Sequence, residues 1–282
     1  MGWPLGLKLK SIIDFSFFLY YSGIQMKIGI CAELNKNTAS EKKFNANIFN
    51  GELQKNIAVI KSCAEKASAK NADLIMFGEA FLQGFDSLTF DYNRDINVAV
   101  FQRGKEISEI RDVVRKNKVA VGFGYLENAK GIIYSSYIIL DSEGNTVYNY
   151  RRVSVGWRIR NACADYREGT SFGTFTLGGK KFTVVLCGDF WEDHLIPEII
   201  KFDNKTDIFL WPVHCDYNIK EWEEAIKKEY AEHSAILDKP VLFCNNYCIE
   251  EGQAKGGAYC WHHGKTLYEL PAGKNGMLIA EL

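Results

Sequence analysis

The stretch that most constrains this chain runs Phe182-Thr-Val-Val-Leu-Cys187-Gly-Asp-Phe-Trp-Glu-Asp193. Phe182 to Leu186 is β-branched or aromatic at most positions, the composition of a buried strand. Cys187 ends it. Asp189, Glu192 and Asp193 then precede Leu195, Ile196, Ile199 and Ile200 at helical spacing, so the sequence predicts a helix close behind the cysteine. A thiol between such a strand and helix sits on a nucleophile elbow at the rim of a sheet. There the N–H groups and dipole of the following turn favour its thiolate and can hold an oxyanion. The competing reading makes Cys187 a small buried hydrophobe, the ordinary role of a lone cysteine.

The chain has 282 residues, enough for a sizeable core, and its 47% hydrophobic and 24% charged composition is that of a globular protein. A formal net charge of -1 gives no overall pull toward nucleic acid or anionic membrane, so small molecules are the expected partners. The 8 cysteines, at 31, 63, 163, 187, 215, 244, 248 and 260, form no CxxC pair and read as reduced thiols in a cytoplasmic protein. Cys244 and Cys248 lie at a predicted strand end with no second pair facing them; neither a metal nor a cofactor is expected.

Residues 1–25 differ from the rest. Ile12 to Ile24 is apolar, with Lys8 and Lys10 before it, but it lacks a small-residue cleavage site and is short for a membrane span. Met26, directly before a strand, makes a better structural start. Residues 1–25 are read as an extension and 26–282 as one domain.

From Met26 strands and helices alternate. Strands are predicted at Ile28 to Cys31, Asp73 to Phe77, Val119 to Leu126, Ile132 to Leu140 and Thr146 to Tyr150, with helices at Gly51 to Lys70 and Gln102 to Lys116. Arg151 to about Ser171 is a long loop without periodicity, more often functional than idle. Beyond it come a hairpin about Gly178-Gly179, a strand at Asp207 to Trp211, a helix at Ile219 to Leu237, and four strands at Val241 to Asn245, Gly257 to Trp261, Thr266 to Glu269 and Met277 to Ala280. The pattern is that of a layered α/β protein with helices outside mixed sheets.

Three polar residues follow three buried strands: Glu79, Arg152 and Cys187. In layered α/β proteins such ends gather where ligands bind. A carboxylate to take the thiol proton, a thiol to attack a polarised carbon and a cation to stabilise the oxyanion form a working set. The competing readings are an ion-pairing Glu79 and a solvated Arg152.

Asp73-Leu-Ile-Met-Phe-Gly-Glu79, Tyr150-Arg-Arg-Val-Ser154 and Val185-Leu-Cys187-Gly-Asp189 resemble, in order and spacing, the three signature segments of the nitrilase (carbon–nitrogen hydrolase) superfamily. Asp207-Ile-Phe-Leu-Trp-Pro212, Gly256-Gly-Ala and Gly264-Lys-Thr-Leu-Tyr resemble later segments, so the resemblance covers residues 26–282. It implies a four-layer αββα sandwich, hydrolysis of a non-peptide amide, nitrile or carbamoyl bond through a thioester-type intermediate, and a homodimer or higher homo-oligomer. It assigns Glu79 as general base and Cys187 as nucleophile. Two departures stand out. Arg152 replaces the family's lysine, keeping the charge but not the shape or the ability to deprotonate. Gly188 is smaller than the family's usual residue there, although its N–H can serve an oxyanion hole. The further loop glutamate of many members has no clean match; Asp165 and Glu168 are the nearest carboxylates.

Trp191 and His214 follow strand ends near the nucleophile and are expected to line the pocket. His194 and His233 read as ordinary hydrogen-bonded residues, Trp157 and Trp211 as core or pocket walls, and Lys227-Lys228 as part of a salt-bridged helix face. The leading expectation is a carbon–nitrogen hydrolase acting on a small amide or carbamoyl compound without metal or cofactor. The absence of a membrane helix and of an appended ATP-binding domain argues against the family's membrane acyltransferases and amidotransferase fusions. The alternative is a catalytically impaired binding or regulatory protein on the same fold, motivated by Arg152.

Overall fold

The computed structural model describes residues 25–39 and 41–282; the predicted apolar stretch from Ile12 to Ile24 lies outside them. Two sheets of six strands carry the structure. The first comprises β1 (Lys27–Ala32), β2 (Leu74–Met76), β3 (Ala120–Ala129), β4 (Ile132–Leu140), β5 (Thr146–Arg151) and β12 (Gly276–Glu281), ordered β12-β1-β2-β3-β4-β5. The second comprises β6 (Thr174–Leu177), β7 (Lys180–Val184), β8 (Ile208–Val213), β9 (Val241–Asn245), β10 (Ala258–His262) and β11 (Lys265–Leu270), ordered β11-β10-β9-β8-β7-β6. In each sheet the three central strands are parallel and the outer ones antiparallel.

The strands read as continuous apolar runs because both faces of each sheet are covered. Ile28, Ile30, Leu74 and Met76 meet Phe182, Val184, Ile208 and Leu210 in a core between the sheets. The alternate residues Ile75, Phe77, Val121 and Phe123 turn outward and pack under the helices α1 (Ala46–Ser68) and α2 (Lys105–Asn117), through Leu53, Ile57, Ile60, Ile107, Ile110 and Val114. On the far side Phe209, Trp211, Phe243 and Trp261 pack against Ile199, Trp222 and Tyr230. The layers are therefore helix, sheet, sheet, helix, the expected four-layer sandwich.

Boundaries moved where local hydrogen bonds decide them. α1 begins before its predicted start because the Asn45 side chain accepts from the N–H groups of Asn47 and Ile48. The helix over the second sheet runs from Ile219–Glu221 through a π-helical turn, Trp222–Ile226, into α3 (Lys227–Ser234). The helix predicted close behind the nucleophile on Leu195, Ile196, Ile199 and Ile200 is present, with a separate turn between it and the cysteine. No α-helix begins directly behind Cys187; Cys187–Phe190 is one 3-10 turn, and Ile196–Ile200 is the first α-helical segment after it. The Asp189 carboxylate accepts from Leu186 N–H at 3.1 Å and tightens the turn. The α-helix waits for Pro197, whose missing N–H and fixed φ suit a first turn. Among the described residues no helix is long and apolar enough to cross a membrane.

Candidate active site

The backbone is bent to place both acid and thiol. Cys187 has φ 48° and Ala80, directly after Glu79, also has φ 48°, two left-handed positions held by non-glycine residues. Neighbouring glycines make room. A Cβ on Gly124 of β3 would lie 2.3 Å from Ala80 N, and one on Gly78 would lie 2.6 Å from the Val213 carbonyl.

Glu79 is fully buried. Its Oε1 accepts from Ser135 Oγ at 2.7 Å and from Arg152 Nη1 at 3.0 Å, while Oε2 accepts from the same Nη1 at 3.1 Å. Its main chain is held between the sheets: Glu79 N–H donates to Val213 at 3.1 Å, and Asn246 Nδ2 donates to the Glu79 carbonyl at 2.7 Å.

Arg152 emerges from β5 into the same interior. Strand alternation separates it from Arg151, which forks onto Glu127 at 2.9 and 2.9 Å. Adjacent serines divide in the same way, Ser135 to Glu79 and Ser136 to Glu127 at 2.7 Å. Arg152 Nε donates to Ser154 Oγ at 2.8 Å, leaving Nη2 without a hydrogen-bond acceptor among the described residues. Burial works to lower its pKa, but Glu79, Cys187 and Asp189 outweigh that and hold it above its ordinary value. The group is a permanent cation.

Cys187 is half-buried rather than exposed, with Sγ 3.8 Å from the His214 carbonyl and its own carbonyl accepting from Trp211 Nε1 at 3.0 Å. The sequence predicted a favoured thiolate. Instead burial, followed by the negative charge of Glu79, pushes the thiol up to about 12 against the opposing pull of Arg152. A turn of four residues has too little dipole to reverse that. Burial and Glu79 thus favour the neutral thiol near pH 7.

Gly188 lies under the guanidinium: a Cβ there would be 2.2 Å from Arg152 Nη2. His214 joins through its main chain and through a ring stacked on Phe85 at 4.8 Å, with Nδ1 3.1 Å from the Asn246 amide. Trp191 lies in the aromatic layer, stacked on His233 at 4.1 Å and edge-on to Tyr230, with a buried indole N–H that has no partner among the described residues. Trp157 is core beside Tyr166. The loop carboxylates engage elsewhere: Glu168 pairs with Arg158 at 2.5 Å, and the Asp165 carboxylate lies 3.8 Å from Cys163 Sγ while its main-chain carbonyl accepts from Ile133 N–H.

The residue that sequence reasoning passed over is Asp189. Fully buried, it accepts from Val153 N–H (3.0 Å), Ser154 N–H (2.6 Å), Tyr150 Oη (2.6 Å) and Leu186 N–H (3.1 Å). One carboxylate thus ties the Arg152 segment to the nucleophile turn. Its position two residues after the cysteine was the only local signal; Ser135 and Asn246 had none, since they meet Glu79 across 56 and 167 residues.

A sequence model of the family described as carbon-nitrogen hydrolase matches residues 44–282. The chain is 28% identical over 97 residues to a bromoxynil-specific nitrilase of Klebsiella pneumoniae subsp. ozaenae, covering 31% of this chain and 28% of that protein. It is 23% identical to the glutamine-dependent NAD(+) synthetase of Acinetobacter baylyi (82% of this chain, 42% of that protein), so it spans less than half of either. Against a nitrilase of Meyerozyma guilliermondii it is 24% identical, covering 82% of each. Among solved structures, an amidase from Nesterenkonia sp. AN1 with acrylamide added at its active-site cysteine superposes with a TM-score of 0.70 at 16% identity, covering 91% of this chain and 93% of that one. The glutamine-dependent NAD+ synthetase of Acinetobacter baumannii superposes at 0.71 and 16% identity, covering 92% of this chain and 46% of that one.

Proposed function

The chain belongs to the carbon–nitrogen hydrolase (nitrilase) superfamily, and from that membership we propose that it cleaves a small non-peptide amide or carbamoyl compound through a Cys187 acyl-enzyme. The observation that carries the proposal is the buried convergence of Glu79 and Arg152, 3.0 Å apart, beside the Cys187 turn.

Substrate carbonyl carbon approaches Sγ while the thiol proton passes to Glu79; a thiol pushed up to about 12 makes that transfer necessary near neutrality. The carbonyl oxygen gains charge between the Gly188 N–H and Arg152 Nη2, two donors that need no reorganisation during the reaction. Glu79 returns the proton to the departing nitrogen, which leaves as ammonia or an amine. Glu79 then draws a proton from water as the water oxygen attacks the thioester. Collapse releases the carboxylic acid, or the carbamic acid from a carbamoyl compound, and the proton returns to sulfur. The balance is one water consumed per bond cleaved.

One observation favours a second reading, a binding protein that has lost turnover: both Glu79 oxygens are already engaged by Arg152. Ammonia release from a panel of short amides, nitriles and ureides, with acid-quenched intact mass to trap the acyl-enzyme, separates the two. Hydrolysis predicts turnover and an adduct on Cys187 that both vanish in Cys187→Ala. A panel in which wild type matches Cys187→Ala leaves the binding reading.

A further inference from the structure

Arg152 and Gly188 occupy one space. A Cβ at 188 would stand 2.2 Å from Arg152 Nη2, 3.3 Å from its Cζ and 3.3 Å from Ser154 Oγ. A long side chain can ordinarily swing away from such a contact, but this one is fixed. Nε is held by Ser154 Oγ at 2.8 Å, Nη1 by both oxygens of Glu79, and the side chain is only 4% exposed. A planar guanidinium pinned at two of its nitrogens leaves the third no freedom of direction. The backbone does not itself require glycine at 188, since its φ is not among the left-handed ones. Gly156 repeats the relationship more loosely, its Cβ position falling 3.1 Å from the same Nη2, again without a left-handed φ. Two glycines that no turn demands therefore border one nitrogen.

We infer that Gly188 is a positioning residue whose missing side chain seats the Arg152 guanidinium, so that Arg152 and Gly188 are a matched pair and neither can be exchanged alone. The seat is built for a guanidinium, with Ser154 as its acceptor and the two glycines as its clearance. Arginine at 152 is on this view an accommodated part of the site, supported from two other segments, rather than a substitution the surroundings merely tolerate. The inference rests on the proposed role of Arg152 beside Cys187, but its test needs no turnover.

Four proteins make the test: wild type, Gly188→Ala, Arg152→Lys and the double variant. Mass-mapped alkylation of Cys187 by limiting iodoacetamide, followed across pH 6 to 10, reads the cation's influence on sulfur; thermal midpoints report folding. Displacing the guanidinium removes the charge that draws the thiol pKa down, so Gly188→Ala should slow alkylation near pH 8.5 by about fivefold or more. In the Arg152→Lys background the same alanine should change the rate by less than about twofold, because the clashing nitrogen is gone. If Gly188→Ala alone fails to fold, the double variant should melt within a few degrees of Arg152→Lys. Equal slowing in both backgrounds, an unaffected Gly188→Ala, or loss of folding in both would overturn the pairing. An amide panel that wild type does not turn over would overturn the hydrolase proposal and leave this cycle readable.

Discussion

Arg152 Nη1 bridges both oxygens of Glu79, at 3.0 and 3.1 Å, in a pair whose side chains are 4% and 0% exposed. Neither group can shed its partner without stranding a charge away from water, a change that typically costs several kcal/mol. In the proposed mechanism the same pair would supply the acceptor for the thiol proton and the cation for the oxyanion. Structure and chemistry here share one ion pair.

Glu79→Gln should therefore separate two effects. The amide keeps an acceptor for Ser135 and Arg152 but leaves the buried Arg152 charge unpaired, so stability should fall by about 3–5 kcal/mol. Turnover should drop by about two to four orders of magnitude as the general base is lost. The thiol should nevertheless become easier to ionise, because Glu79 is the second contributor holding it up and Arg152 remains to draw it down. Iodoacetamide should label Cys187 faster at pH 8 to 9 in the variant than in wild type. Slower labelling would mean that Glu79 does not act on sulfur through its charge.

Asp189→Asn probes the tie between the Arg152 segment and the nucleophile turn. The carboxylate accepts four hydrogen bonds in a fully buried position, and an asparagine has one acceptor oxygen to meet them. Unmet donors from Val153, Ser154, Tyr150 or Leu186 should lower stability by about 2 kcal/mol or more. Because both segments carry proposed reacting groups, kcat should fall more than KM rises. A variant with normal kcat and only a lower melting temperature would confine Asp189 to folding.

Much of this was legible in the sequence. Apolar runs ending in Glu79, Arg152 and Cys187 were visible as strand ends, and the family signature fixed their order. What could not be read depends on approach between distant segments. Asn246 and Ser135 reach Glu79 from elsewhere in the chain. The Arg152–Gly188 contact is invisible locally, since a glycine after a cysteine looks like turn chemistry until the guanidinium above it is placed. The helix read from Leu195, Ile196, Ile199 and Ile200 forms over Ile196–Ile200, but the 3-10 turn between it and Cys187 was not legible: Asp189 closes that turn with its own side chain, a bond that competes with helical continuation.

Alkaline pH should unfold the protein through its buried thiols. Burial pushes Cys260 up to about 12; burial, then Glu250, does the same for Cys248, which is 2% exposed. The unfolded chain ionises these thiols near 9.0 while the folded chain retains the protons, so the unfolded state binds fewer protons between pH 9 and 12. Stability should fall with rising pH in that window, by up to about 1.4 kcal/mol per pH unit for each such thiol. Burial also raises Tyr137 and Tyr150, adding to the decline above pH 10. Urea midpoints should hold from pH 7 to 8.5 and drop beyond 9, less steeply in Cys260→Ala. A midpoint unchanged at pH 10.5 would contradict the assignment.

The last prediction concerns how activity responds to pH once an amide substrate is in hand. A guanidinium does not deprotonate at any working pH, and Glu79, Cys187 and Asp189 hold Arg152 above even its ordinary value. Arg152 can therefore supply no alkaline limb to a pH–rate profile, and the thiol, pushed up to about 12, supplies none below pH 10. Wild-type kcat/KM should stay flat from about pH 8 to 10. Arg152→Lys should behave differently in both size and shape. One ammonium cannot reach Glu79, Ser154 and a developing oxyanion together, so the rate should fall by about two orders of magnitude, the worth of a misplaced oxyanion donor. What activity remains should carry a new alkaline limb, because a buried lysine can lose its proton where arginine cannot. A wild-type profile that already falls across pH 8 to 10, with the lysine variant following the same curve, would show that the cation at 152 does not govern the reaction.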